Sequence, residues 1–112
     1  MENNSYSVAV LGAGNIGSAV ISRLQNLDND IVQLVIKKVL VSDLSKDREI
    51  DNAILTDNFE EILNDDSIDL VIEVLGGIDP GKEYIKALLS NGNLSLQLIK
   101  ILLLTAVKNW YL

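Results

Sequence analysis

The sequence predicts an α/β fold, a parallel sheet with helices on both faces, and two observations carry that expectation. Short apolar runs that stop at glycine or at an acidic turn alternate with segments whose apolar residues recur every three to four positions. This strand-helix-strand alternation builds parallel sheets through right-handed crossovers. The apolar content is also of the right kind: 48% of the 112 residues are hydrophobic but only 4% are aromatic. Val, Ile and Leu therefore dominate, and these side chains suit buried parallel strands and the helices that cover them. A chain of this length has room for one core.

Taken in order, Tyr6-Ser7-Val8-Ala9-Val10-Leu11 reads as the first strand, broken at Gly12. Asn15 to Leu27 is the first helix, with Ile16, Ala19, Val20, Leu24 and Leu27 expected on its apolar face. Past the polar turn Asp28-Asn29-Asp30, the β-branched run Leu34 to Val41 is the second strand, closing at Ser42-Asp43. Ser45 to Asn52 is polar and reads as loop, followed by a short extended piece at Ile54-Leu55. A short helix through Leu63 is expected next, capped by Thr56 or Asp57, with Glu60 and Glu61 complementing the positive end of its dipole. Asp69 to Leu75 is a further strand, closed by Gly76-Gly77; Glu73, inside this apolar run, is read as structural rather than functional. Asp79-Pro80 opens the last helix, with Ile85, Leu88 and Leu89 inward and Gly92 placed to end it.

Composition excludes several function classes. Sixteen acidic against nine basic residues give a net charge of −7, which opposes the phosphate neutralisation that nucleic-acid and anionic-membrane binding require. Neither partner is expected. With no Cys and no His, disulfides, thiolate or imidazole metal sites and Ser-His-Asp triads are ruled out within these residues. Met1-Glu2-Asn3-Asn4-Ser5 places no positive charge before an apolar run, so it does not read as a secretory signal and the expected address is cytoplasmic. The most apolar stretch, Leu94 to Val107, is interrupted by Gln97 and Lys100 and is shorter than the ~20 residues of a membrane span.

The chemistry lies in Gly12-Ala13-Gly14-Asn15-Ile16-Gly17, a G-x-G-x-x-G pattern between the first strand and the first helix. In that context Gly12 makes the tight turn. Gly14, with no Cβ, lets a pyrophosphate approach the amides at the helix N-terminus, where unpaired N–H groups and the helix dipole favour an anion. Gly17 lets the helix pack close to the sheet. The expected ligand is a dinucleotide and the expected fold is Rossmann-like, here its nucleotide-binding half only, with Gly12, Gly14, Asn15, Ile16 and Gly17 holding the diphosphate. Asp43 stands somewhat further from Gly17 than the roughly 20 residues usual for the acidic residue that takes the ribose hydroxyls. Its carboxylate would repel a 2′-phosphate, whereas Lys46 and Arg48 would supply the opposite preference. Gly76 and Gly77 either leave room for the nicotinamide ribose at the carboxyl edge of the sheet or simply end a strand.

Three blocks together carry a resemblance: Val8 to Gly17, Ile36 to Asp43, and Asp69-Leu70-Val71-Ile72-Glu73-Val74-Leu75-Gly76-Gly77-Ile78-Asp79-Pro80. They resemble the opening of homoserine dehydrogenase, the third block most specifically, over about residues 6 to 92. The resemblance implies an NAD(P)H-dependent reduction of aspartate semialdehyde to homoserine, on the way to threonine and methionine, by enzymes that self-associate. It also implies cofactor contacts from the glycine turn, Ser42, Asp43, Gly76 and Gly77. Many members carry Arg where Ser42 stands, a residue suited to a 2′-phosphate. Aspartate dehydrogenase has a domain of the same kind, and a non-catalytic dinucleotide-binding module is a further alternative.

Beyond residue 92 the family continues with a strand resembling Lys-x-Val-Ile-Thr-Ala-Asn-Lys, whereas this chain reads Asn93-Leu94-Ser95-Leu96-Gln97-Leu98-Ile99-Lys100. Permitted codons for Gly92 to Leu104, read from each third base, include Lys-Ser-Val-Ile-Thr-Ala-Asn-Lys-Asp-Leu-Leu-Ala. The expectation is therefore a nucleotide-binding domain over residues 1–92 and an out-of-frame apolar tail over 93–112. The substrate domain, which in the family holds the catalytic Lys and Asp, would then not be translated, and no catalytic residue is assigned here. The alternative is a short chain whose final segment forms an unrelated strand or helix.

Overall fold

The computed structural model describes residues 4–26, 32–75, 81–91 and 97–100. In chain order these form strand β1 (Asn4–Leu11), helix α1 (Asn15–Gln25), strand β2 (Val32–Leu40), a 3-10 turn at Asn52–Ile54, and strand β3 (Leu55–Thr56). Helix α2 (Glu60–Leu63), strand β4 (Leu70–Glu73), helix α3 (Gly81–Ser90) and strand β5 (Gln97–Lys100) follow. The strands make one sheet in the order β3-β2-β1-β4-β5, with every pairing parallel. The order reverses between β1 and β4, the place in open α/β sheets where ligands bind beyond the strand ends.

Helices cover both faces, as the sequence predicts. On one face Val8, Val10, Ile36, Val39, Val41, Ile72 and Val74 pack under α1, whose Ile21 is 1% exposed. On the other, Ala9, Leu11, Leu40 and Val71 meet Ile62 of α2, Ile68 and Leu88 of α3. Alternation along β1 assigns Val8 and Val10 to one core and Ala9 and Leu11 to the other. Each fully buried aliphatic side chain of this kind contributes about 1.5–3 kcal/mol.

Both long helices are rotated from the phase that hydrophobic spacing predicts. In α1 the inward residues are Gly17 and Ile21, with Val20 and Leu24 half-buried, while Ala19 is exposed. In α3 they are Gly81 and Leu88, with Tyr84 and Ile85 half-buried, and Leu89 is 70% exposed. In each case a glycine marks the face that approaches the sheet most closely, and glycine adds nothing to a hydrophobic pattern. Leu27, the Asp79-Pro80 pair and Gly92 lie outside the described residues, as does the side chain of Ile16.

The short helix is also corrected. It begins at Glu60, not at the predicted caps, because Thr56 ends β3 and Asp57 follows as a bend. Asn58 Oδ1 accepts from the Glu60 amide at 3.1 Å, and Thr56 Oγ1 accepts from the Asn58 amide at 3.1 Å while donating to Glu61 Oε2 at 2.5 Å. A chain of side-chain caps thus leads from strand to helix. Where the sequence leaves strand or helix open for the final segment, Gln97–Lys100 pairs with Leu70–Glu73 along β4.

The β1–β2 register slips between Val8↔Ile36 and Ala9↔Lys38, leaving Lys37 as an extra residue in β2. Lys37 and Lys38, neighbours in sequence, consequently both reach carboxylates on the α2 side. Lys37 Nζ lies 2.8 Å from Asp65 Oδ2 and also donates to the Ser67 hydroxyl, and Lys38 Nζ lies 3.3 Å from Glu61 Oε1.

Candidate functional site

β1, β2 and β4 end at the same edge of the sheet, with Leu11 opposite both Leu40 and Glu73. Beyond Leu11 the chain must turn sharply into α1, and Gly12 does this at φ +110°, a conformation that a side chain would strain. The Gly12 amide donates to Leu40 O at 2.9 Å and the Val74 amide to Leu11 O at 2.9 Å, so the turn is fastened to the strand on either side. A Cβ on Gly17 would stand 2.5 Å from Gly12 O and 3.0 Å from Val74 Cγ2. Only a residue without one lets α1 press this closely on the turn.

Gly14 is different. It is exposed, and a Cβ there would meet no atom within 4 Å. It is the N-cap residue of α1, offers no side-chain cap, and is followed by a first turn with no acidic residue. The first helical amides have no partners within the helix, so they and the dipole present a positive end at the strand edge. Asn15 and the backbone of Ile16 lie in this first turn.

An open groove of about 570 Å³ runs over the turn. Its floor is Gly12, Ala13 and Gly14, one wall is Leu40, Val41 and Ser42 at the end of β2, and the other is Val74 and Leu75 after β4. Lys46 and Arg48, from the loop after β2, complete it. The structure therefore brings Gly12, Gly14 and Ser42 together around one cleft, with Gly17 pressed on the turn from α1; Asn15 is exposed at the helix start and is not among the lining residues. Asp43 is exposed and is not among the groove's lining residues. Its Oδ1 accepts from the Ser45 amide at 2.9 Å and the Ser45 hydroxyl at 2.5 Å. These hydrogen bonds, with lesser help from the charges of Arg48 and Lys46, hold its carboxyl below the ordinary carboxylate range. Gly76 and Gly77 lie outside the described residues.

Sequence reasoning missed the apolar walls, Leu40, Val41, Val74 and Leu75. The signal for them was available, since the last residues of strands flanking a glycine turn necessarily border the cleft. Among the described residues no cluster of acidic side chains is arranged to hold a metal ion, and no helix is long and apolar enough to cross a membrane.

Comparison with known proteins matches this geometry. The family model of the homoserine dehydrogenase NAD-binding domain matches residues 12–96. The homoserine dehydrogenase of Bacillus subtilis (strain 168) is 39% identical over 85 residues, covering 70% of this chain and 20% of the relative. That of Mycobacterium bovis is 34% identical over 110 residues, covering 94% and 25%. The crystal structure of Staphylococcus aureus homoserine dehydrogenase at pH 8.5 superposes with a TM-score of 0.73 at 36% identity, covering 88% of this chain and 26% of that one. The chain thus spans about a quarter or less of the length of these relatives. Because the match runs from the glycine turn through the two strands that wall the groove, its lineage follows directly: the chain belongs to the family of homoserine dehydrogenase NAD-binding domains.

Proposed function

We propose that this chain binds a nicotinamide dinucleotide, NAD(P), in the groove between β2 and β4, with the diphosphate over Gly14. The observation that carries the reading is the bare space above Gly14, at a helix start with neither a side-chain cap nor an acidic residue in its first turn. The residues fit such a ligand: a diphosphate needs convergent N–H donors and no intervening Cβ, and the turn offers both. Gly14, with Asn15 and Ile16 of the helix start, would hold the diphosphate, and Gly12 and Gly17 would shape the turn that presents it. Ser42 would border the adenosine ribose with Asp43 just outside the groove, and Gly76 and Gly77 would leave room for the nicotinamide ribose.

When bound, the dinucleotide supplies or accepts the hydride. The described residues contribute binding and orientation: the uncapped amides fix the diphosphate, and the apolar ends of β2 and β4 exclude water from the sides of the cleft. In the intact family enzyme this would serve the reduction of aspartate semialdehyde to homoserine by a self-associating, cytoplasmic oxidoreductase. Holding the aldehyde and delivering a proton to its oxygen fall, by that resemblance, to Lys and Asp of the substrate domain. The chain by itself is then a nucleotide-binding unit, residues 1–92, without turnover.

Residues 93–112 are read as out of frame. That Gln97–Lys100 still pairs with β4 fits this reading, because a parallel ladder is made by main-chain groups and a free strand edge accepts any extended segment. Sequencing the messenger past the codon for Leu112 tests the frame.

The binding test is a titration of this chain with NAD and NADP, followed by amide chemical shifts and by a parallel assay with homoserine. Saturable shifts centred on Gly14 and Asn15 with no turnover are expected. Shifts confined to residues away from the turn would refute the binding reading, and measurable turnover would refute the division of labour.

A further inference from the structure

We infer that Glu73 is a positioning residue for the nicotinamide half of the dinucleotide, acting through Val74 and Leu75, the stretch of groove wall that follows it. The inference rests on the dinucleotide reading above and deepens it, since the sequence reads this carboxylate as structural alone. Among the described residues Glu73 is the one charged side chain that is buried. Burying an acid is costly unless it is fixed by its surroundings, and an apolar residue of similar volume would fill the same place without that cost. What the acid holds in place accounts for the exception.

Glu73 ends β4 opposite Leu11, at the edge where the groove opens. Its carboxylate occupies the space left by the missing Cβ of Gly81, the first residue of α3, where the helix dipole favours a negative charge. The side chain thus joins the end of the strand to the head of the helix. Val74 and Leu75 come next and line the groove. On their other side they press on the glycine turn: the Val74 amide donates to Leu11 O at 2.9 Å, a Cβ on Gly12 would stand 3.1 Å from Leu75 Cδ2, and one on Gly17 3.0 Å from Val74 Cγ2. The wall is therefore gripped between the turn and the Glu73–Gly81 joint, and close-packed interiors transmit a displacement instead of absorbing it. A dinucleotide lies across the point where the strand order reverses. With its adenosine at the end of β2, its nicotinamide half falls on the β4 side, against this wall.

The test titrates the full 112-residue chain with NAD, NADP and ADP, the last carrying adenosine and diphosphate without the nicotinamide riboside. The unaltered chain should bind at least one of the dinucleotides more tightly than ADP. Glu73→Ala should weaken that dinucleotide about tenfold and ADP less than about twofold, because only the β4 wall loses its support. Glu73→Gln keeps the volume of the side chain, so its loss should be smaller, and it carries the test if the Ala variant does not fold. Gly81→Ala displaces an unaltered carboxylate and should reproduce the loss confined to the dinucleotide. A residue that merely supports the fold would weaken ADP and dinucleotide together, or neither. Either result overturns this inference and leaves the dinucleotide reading standing, as does an unaltered chain that binds all three ligands alike. A chain that gives folded spectra yet binds none of the three overturns both.

Discussion

The carboxylate of Glu73 lies against the backbone of Gly81: a Cβ built on Gly81 would stand 1.7 Å from Glu73 Oε1 and 2.8 Å from Glu73 Cδ. Glu73 closes β4 and is fully buried, and Gly81 opens α3. The acid therefore fills the space at the head of the helix that covers its own strand. A carboxylate is favoured at that end of a helix dipole, which accounts for a charged residue in an otherwise apolar strand.

Gly81→Ala should destabilise the chain by about 1–3 kcal/mol, the usual cost of overpacking a filled core. The ordinary benefit of Ala over Gly within a helix, about 0.5–1 kcal/mol, is too small to reverse the sign. The obstructing atom is the tip of a flexible side chain, but one that is fully buried, so it must rearrange within the core rather than swing into solvent. Urea unfolding of Gly81→Ala, Glu73→Gln and Glu73→Ala, and of each double variant, forms the check. Shortening residue 73 to Ala should recover a substantial part of the Gly81→Ala loss, and additive losses would show that the contact does not matter.

Gly14 and Gly17 should fail in opposite ways. Gly17→Ala drives a methyl into the carbonyl of Gly12, a backbone atom that cannot swing aside, so stability should fall by about 2 kcal/mol or more and nucleotide affinity with it. Gly14→Ala meets open space, so stability should stay within about 0.5 kcal/mol. The added methyl instead occupies the approach of the diphosphate, and NAD(P) affinity should drop at least tenfold. Thermal melts beside ligand titrations distinguish the two; a Gly14→Ala chain that binds normally would remove the diphosphate from that position.

α2 and α3 are coupled through Phe59 and Tyr84, whose ring centroids lie 4.3 Å apart at 27°. Asn91 adds a hydrogen bond from its side-chain amide to Leu63 O at 2.8 Å. A double-mutant cycle with Phe59→Leu and Tyr84→Leu should return a coupling of about 0.5–1.5 kcal/mol, the usual worth of a stacked pair beyond its buried area. A value near zero would leave the coupling of the two helices to Ile62 and Leu88 beneath them and to the Asn91 hydrogen bond.

What was legible in the sequence depended on whether a residue's role follows from its own chemistry or from its neighbours. Gly12 and Gly17 announce themselves, because a left-handed turn and a helix pressed on a carbonyl both demand glycine. That the strands pair in parallel follows from the alternation of elements, whereas their order, β3-β2-β1-β4-β5, does not. Helix phase was misjudged at Ala19 and Leu89, since Gly17 and Gly81 define the closest-packed faces while contributing no hydrophobic signal. The slip at Lys37 was invisible for a similar reason: period-two alternation places neighbouring lysines on opposite faces, and only the pairing with β1 reveals the extra residue. Asp43 was placed by its position at the strand end, but where its carboxylate points is decided by Ser45, two residues later. Lys46 and Arg48 reach the groove through a loop path that no periodicity encodes.

The extra residue in β2 has an energetic counterpart that acid should expose. Lys37, together with the Ser67 hydroxyl and amide, holds the Asp65 carboxyl down at about 2, from an ordinary value of 3.8. A carboxylate whose folded pKa is depressed contributes stability that is present above its unfolded pKa and disappears as pH falls through the folded one. The contribution should therefore be complete above about pH 4 and lost towards about pH 2. A shift of this size corresponds to about 2 kcal/mol without screening, but the Lys37 and Asp65 side chains are 40% and 19% exposed. Solvent screening brings the expected value to about 1 kcal/mol or less. Asp65→Asn should accordingly cost about that much in urea unfolding near pH 6, and the gap to the unaltered chain should close as the buffer approaches pH 2. A difference that persists unchanged in acid would mean that Asp65 acts by packing rather than by charge, and that the slip at Lys37 does not secure an ion pair.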